Sequence, residues 1–112
     1  HDGTIRVPLA DVLYFKAEDK YVVARTPERE VLLDDSLVQL ERAHAARFLR
    51  IHRNALVARN AIRGLLRERG DDQAERWSVR LVGTDVALAV SRRQLAQVRA
   101  ILAGRTPEPP SS

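Results

Sequence analysis

Cysteine is absent from the chain, so disulfides, thiolate metal sites and thiol nucleophiles are excluded. That absence fits a reducing compartment. No apolar run approaches the ~20 residues that a membrane span needs, and no secretory signal pattern opens the chain. The expectation is a cytoplasmic protein that does not contact a membrane. The sequence begins "HDGTIRV" without an initiator methionine and reads as a fragment of something longer. Aromatic residues are few: Tyr14, Phe15, Tyr21, Phe48 and Trp77. Most fall in apolar runs, which leaves no set of exposed stacking platforms for single-stranded RNA. No HExxH, GxSxG, Walker loop or GxGxxG occurs. Of the histidines, His1 is terminal, His44 is expected on the exposed side of a helix end, and His52 stands among arginines. Asp34-Asp35 precede a helix start, where the dipole favours acids, and Asp71-Asp72 sit in a polar loop. These groups form no convergent catalytic or metal-binding set, so we expect neither an enzyme nor a cofactor.

What is present is a globular composition, 45% hydrophobic and 30% charged over 112 residues, enough for one domain with an ordinary core. The charge is uneven. Residues 1–46 hold six Lys+Arg against nine Asp+Glu, a net of −3; residues 47–112 hold thirteen against six, a net of +7. All thirteen are arginine, whose planar fork suits phosphate and the guanine edge. Residues 47–65, "RFLRIHRNALVARNAIRGL", carry five arginines and no acid. Composition leaves two readings open: a polyanionic partner, or a solvated surface from an arginine-rich proteome.

Period-two alternation predicts strands over 4–9 ("TIRVPL", with Ile5, Val7 and Leu9 on one face), 12–17, 20–26 and 30–34. Pro8 places the first at an edge. Ser36 and Gln39 form a capping-box pair ahead of a short helix ending near Ala45. "FLRIH" (48–52) reads as strand, 53–62 as a tight loop or helical turn that Asn54 could cap, and 61–68 as strand again. The segment 67–76 reads as a polar hairpin loop pivoting on Gly70. Residues 77–82 and 85–90 make another strand pair, with Trp77, Val79 and Leu81 inward. Ser91 and Gln94 repeat the capping-box spacing ahead of a last helix that Gly104 ends; residues 1–103 form the domain, and 104–112 a disordered Pro/Ser tail.

Three polar stretches could share one side of this scaffold: the tip with Lys20 and Tyr21, "RIHRN" with Arg50, His52, Arg53 and Asn54, and "SRR" with Ser91, Arg92 and Arg93. Arginines at a helix N-terminus run against the dipole. A phosphate bound by the first backbone N–H groups would hold them; so would an acid elsewhere in the fold. His52 either satisfies nearby backbone or touches a ligand.

"DVLYFKAEDKYV", "FLRIHRNALV" and "VSRRQLAQV" together resemble the LytTR DNA-binding domain, found at the C-terminus of LytR/AlgR-type bacterial response regulators. The resemblance runs from about residue 5 to 102, and the F-x-R-x-H-R-N/S-x-L/V segment, Phe48 to Leu56, is its most specific part. It implies a mainly β, elongated fold of small stacked antiparallel sheets with one short internal helix and a C-terminal helix. It implies sequence-specific binding of double-stranded DNA, with loops rather than a recognition helix entering two successive major grooves and the minor groove between them. Carried onto these positions, Lys20 and Tyr21 enter one major groove. Arg53 and Asn54 face the minor groove or its phosphates, and Arg92 and Arg93 reach the other major groove, with Arg93 reading a base. Arg50 and Arg59 are expected to face DNA as well, and Ser91 to bind phosphate. The resemblance further implies an upstream receiver domain of a two-component phosphorelay and a dimer on direct-repeat promoter sites. The competing expectation is a protein–protein interaction module on the same fold.

Overall fold

The apolar stretches become eight strands within residues 7–105, the part of the chain that the computed structural model describes. In chain order they are β1 (Tyr14–Ala17), β2 (Val22–Arg25), β3 (Glu30–Leu33), helix α1 (Leu37–Ala43), β4 (Phe48–His52), β5 (Ala55–Ala58), β6 (Ile62–Arg69), β7 (Glu75–Leu81), β8 (Ala87–Val90) and helix α2 (Leu95–Arg105). Short 3₁₀ turns cover Leu9–Asp11, Arg59–Ala61 and Arg92–Gln94. Five strands form one antiparallel sheet in the order β3-β2-β1-β5-β4, and three form a second in the order β6-β7-β8. The molecule is elongated, 55 × 40 × 25 Å along its principal axes. This is the expected mainly β fold with one short internal and one C-terminal helix.

A single apolar core runs through both sheets. Phe48, Ile51, Leu56, Val57, Ile62, Val79 and Val98 are fully buried within it, and the Phe15 and Phe48 rings pack with centroids 4.9 Å apart. Helix α1 lays Leu37 and Leu40 on β1, β4 and β5; α2 lays Leu95 and Val98 against β6. Burial of Tyr14 pushes its hydroxyl above the ordinary tyrosine range, partly offset by the Arg25 charge.

Several expectations need correction. The strand over 4–9 is not formed in its described part: Pro8 caps a 3₁₀ turn, with Asp11 N–H donating to the Pro8 carbonyl at 2.9 Å, and Ile5 lies outside the described residues. Proline has no N–H to give a ladder. Residues 55–58 are neither loop nor helix but β5, buried along its whole length between β1 and β4. A strand covered on both faces shows an apolar run instead of alternation, so "ALVA" carries no period-two signal. Asn54 therefore caps nothing; it sits with Arg53 in the two-residue turn from β4 to β5. The 67–76 loop is mostly strand: β6 and β7 extend to Arg69 and from Glu75, leaving 70–74 as the tip. Cross-strand pairs support that arm, Glu75 lying 3.6 Å from Arg67 and 3.7 Å from Arg69. Trp77 is only half-buried, its ring lying under the guanidinium groups of Arg99 at 4.9 Å and Arg67 at 5.8 Å. Finally, α2 runs through Gly104 to Arg105. A glycine in a last turn loses less than the ~1 kcal/mol of an interior one, and Pro107 is the stronger stop signal. The tail beyond 105 lies outside the described residues.

Candidate nucleic-acid interface

Antiparallel pairing decides which loops are neighbours. β1 ends at Ala17, where the polar tip 18–21 turns the chain into β2; Glu18 N–H donates to the Tyr21 carbonyl at 2.8 Å to close that tip. β5 runs antiparallel to β1, so its first residue lies at the same end. Ala17 N–H donates to the Asn54 carbonyl at 2.9 Å. The tip bearing Lys20 and Tyr21 and the turn bearing Arg53 and Asn54 are therefore adjacent, about two strand spacings of ~4.8 Å apart.

The third stretch arrives from the other sheet. β8 runs beside β4, and at its end Ser91 N–H donates to the Ile51 carbonyl at 2.8 Å. This bond sets the 3₁₀ turn Arg92–Gln94 against the edge strand. It also removes the expected capping box. In such a box the glutamine reaches back to the N-cap N–H, but that N–H of Ser91 is already committed to Ile51. The Ser91 side chain makes no cap bond, and Gln94 Oε1 is buried without a hydrogen-bond partner among the described residues. At Ser36 nothing competes: Gln39 N–H donates to Ser36 Oγ at 3.1 Å, and Ser36 N–H to Gln39 Oε1 at 2.8 Å.

Arg50, His52, Arg53, Ser91, Arg93 and Gln94 line one open cleft of about 350 Å³. Two of the three predicted stretches thus share a cleft; Lys20 and Tyr21 stand on the next tip along, and Arg92 is exposed beside the cleft. The side chains of Lys20, Arg53, Arg92 and Arg93 make no hydrogen bond or ion pair within the described chain. Arg53, Arg92 and Arg93 have no acid within ion-pair distance among the described residues, and Lys20 shares its tip with Glu18 and Asp19 without pairing to either. His52 accepts the Asn54 N–H on Nδ1 at 3.3 Å.

Two arginines differ from expectation. Arg50 is engaged within the chain: Nη1 donates to Glu41 Oε1 at 2.6 Å, Nε to the His52 carbonyl at 3.0 Å and Nη2 to the Arg53 carbonyl at 2.7 Å. Arg59 follows the far end of β5 and donates to the Ala45 carbonyl at 3.1 Å, away from the turn at Arg53. Part of the remaining arginine surplus is also committed: Arg67, Arg69 and Arg76 face Glu75 or Asp72 within 4 Å. Glu41 and Gln94 were not singled out from the sequence. Gln94 carried only a capping signal, and nothing in the spacing of Glu41 and Arg50 announces their pairing. His44 is half-buried rather than exposed, its ring edge on Phe48 at 6.3 Å.

The family model of the LytTr DNA-binding domain matches residues 2–103. Over 101 residues the chain is 45% identical to the positive alginate biosynthesis regulatory protein of Pseudomonas aeruginosa, covering 89% of this chain and 39% of that protein. The chain thus spans about two fifths of the length of that curated relative. Among solved structures it is similar to the LytTr DNA-binding domain of a Bacillus cereus response regulator, with TM-score 0.71 and 25% identity over 90% of this chain and 89% of that one.

Proposed function

The chain belongs to the LytTR family of DNA-binding domains, and from that premise we propose that it reads duplex DNA in a sequence-specific way as the output domain of a two-component response regulator. One observation carries the reading. Three loops from two sheets meet along one edge, and the four cations they bear, Lys20, Arg53, Arg92 and Arg93, form no ion pair among the described residues, although Glu18 and Asp19 stand on the tip with Lys20. A polyanion is the partner that such an edge fits.

The tip with Lys20 and Tyr21 enters one major groove and the 91–93 segment the next. The turn with Arg53 and Asn54 lies over the minor groove between them, where a narrow groove favours arginine. Arg93 makes the base contact, since arginine is the bidentate partner of guanine. Ser91, Arg92 and Lys20 hold phosphates and set the register, and His52 contributes to the cleft wall. Arg50 drops out as a contact because its fork is occupied. In the full protein a receiver domain controls pairing of two copies on direct-repeat promoter sites in the cytoplasm.

Selection of bound duplexes from a randomised pool, followed by a salt titration on the enriched sequence, tests the reading. Log affinity should fall with log salt at a slope of about −0.9 per phosphate contacted. An unenriched pool with flat salt dependence would instead support a protein–protein module.

A further inference from the structure

We infer that Glu41, on α1, is a positioning residue for the β4–β5 turn and acts on it through Arg50. The consequence for DNA affinity rests on the reading proposed above; the effect on the turn does not.

The geometry is a three-point clamp. The guanidinium of Arg50 donates to the carbonyls of two consecutive residues, His52 and Arg53, and to the carboxylate of Glu41. A guanidinium is planar, with its N–H vectors in fixed directions. Anchoring one edge on α1 therefore fixes the plane, and the plane fixes where the two carbonyls of the turn point. Those carbonyls set the path of the backbone that carries Arg53 and Asn54 into the interface.

The turn has need of outside support. Two-residue hairpins are self-consistent with strand twist when their residues take positive φ, and Gln73 is the sole non-glycine residue with positive φ among the described residues. The Arg53-Asn54 turn is thus of the other kind, and a register shift between Arg50 and His52 accompanies it. Inside the turn, Asn54 N–H donates to His52 Nδ1 at 3.3 Å, a long bond. Outside it, the Arg50 fork supplies the short ones. The Glu41 and Arg50 side chains are 41% and 23% exposed, so solvent screens the pair in part, and we expect its removal to leave the fold in place.

Charge and position predict opposite signs, which makes the inference testable. Glu41 is an acid near a surface proposed to meet a polyanion. If charge alone mattered, Glu41→Gln and Glu41→Ala would each tighten DNA binding, and equally. The positioning role predicts that both weaken it, alanine more than glutamine, because glutamine keeps an acceptor for Arg50 and loses only the charge assistance.

The experiment uses the 112-residue chain and the duplex it enriches from a random pool, with affinity read by fluorescence anisotropy across a salt series. Amide exchange at Asn54 is measured without DNA. We expect Glu41→Ala to bind about tenfold more weakly, Glu41→Gln to fall between it and the wild type, and Asn54 to exchange faster in the same order. Arg50→Lys, which keeps the charge but loses the fork, should behave like Glu41→Ala with the wild-type salt slope. Combined with Glu41→Ala it should cost no more than the worse single change. Tighter binding by both Glu41 variants with unchanged Asn54 exchange overturns the inference. So does an Arg50→Gln variant, which removes the charge, with a salt slope shallower by about 0.9 than that of Glu41→Ala, which marks a direct phosphate contact. A wild type that enriches no duplex overturns the DNA-binding reading instead, and Asn54 exchange then decides the positioning by itself.

Discussion

The backbone N–H of Ser91 donates to the carbonyl of Ile51 at 2.8 Å, joining the end of β8 to the edge strand β4. It brings the arginines that follow Ser91 to the turn that follows His52. The shared core and the β4–β8 contact hold the two sheets together, and this bond fixes where along the edge of β4 the second basic stretch begins.

Ser91→Pro isolates this bond. Ser91 has φ −74°, close to the value proline imposes, and Val90 before it is in a strand, as proline prefers. The substitution removes the N–H donor together with the hydroxyl, so Ser91→Ala, which removes the hydroxyl alone, is the reference for both stability and DNA affinity. Thermal or urea unfolding should show a loss of about 0.5–1.5 kcal/mol. DNA affinity should fall by more than that stability loss accounts for, and unchanged affinity would mean the cleft forms without the bond.

The two capping-box spacings should behave differently. Ser36→Ala removes a formed cap and should destabilise the chain by about 1 kcal/mol. Ser91→Ala removes a side chain with no cap bond and should stay within about 0.5 kcal/mol of the wild type. Urea midpoints of the two variants decide it; equal losses would mean that the Ser91 side chain caps after all.

Base readout and phosphate contact separate by kind of loss. Arg93→Ala should cost roughly 1–3 kcal/mol of binding and relax preference at one base position. Arg92→Ala and Lys20→Ala should weaken all sequences alike and make the salt slope shallower by about 0.9 each. Arg59→Ala and Arg69→Ala, at the far end of β5 and on the β6–β7 arm, should leave affinity within about twofold, since charges away from the contact are screened by salt. Repeating the duplex selection with each variant reads the first distinction, and anisotropy across salt the second.

Alkaline stability reports on Tyr14. Burial raises its hydroxyl pKa above the ordinary value, so the folded state favours the neutral phenol. That contribution is complete below the unfolded value of about 10 and is lost as pH rises through the higher folded value. Unfolding free energy should decline above pH ~10, and Tyr14→Phe should flatten the decline. An alkaline limb unchanged by Tyr14→Phe would assign it to other groups.

Much of the architecture was legible from local pattern. β4 is bounded at Phe48 and His52 as its apolar spacing required, and α1 starts where Ser36 and Gln39 announced it. β5 was not legible, because "ALVA" is apolar at every position and a fully covered strand looks like any short buried segment. The candidate interface was legible as a set of residue types. Which arginine side chains stay free was not: Arg50 and Arg53 stand in the same pentapeptide, yet the side chain of one is engaged by Glu41 and two carbonyls while that of the other makes no hydrogen bond or ion pair among the described residues.

By itself the sequence determined what depends on near neighbours: the turns and caps, the strand alternation, and the concentration of arginine in the second part of the chain. Hydrogen bonds and sterics over a few residues fix those. Only the tertiary structure decided that the Ser91 N–H goes to the Ile51 carbonyl instead of the Gln94 side chain, that Arg50 answers to Glu41, and that three distant loops share one edge. Each is a competition for a donor or acceptor between a local partner and one brought close by the folding of both sheets, and local spacing holds no information about the second.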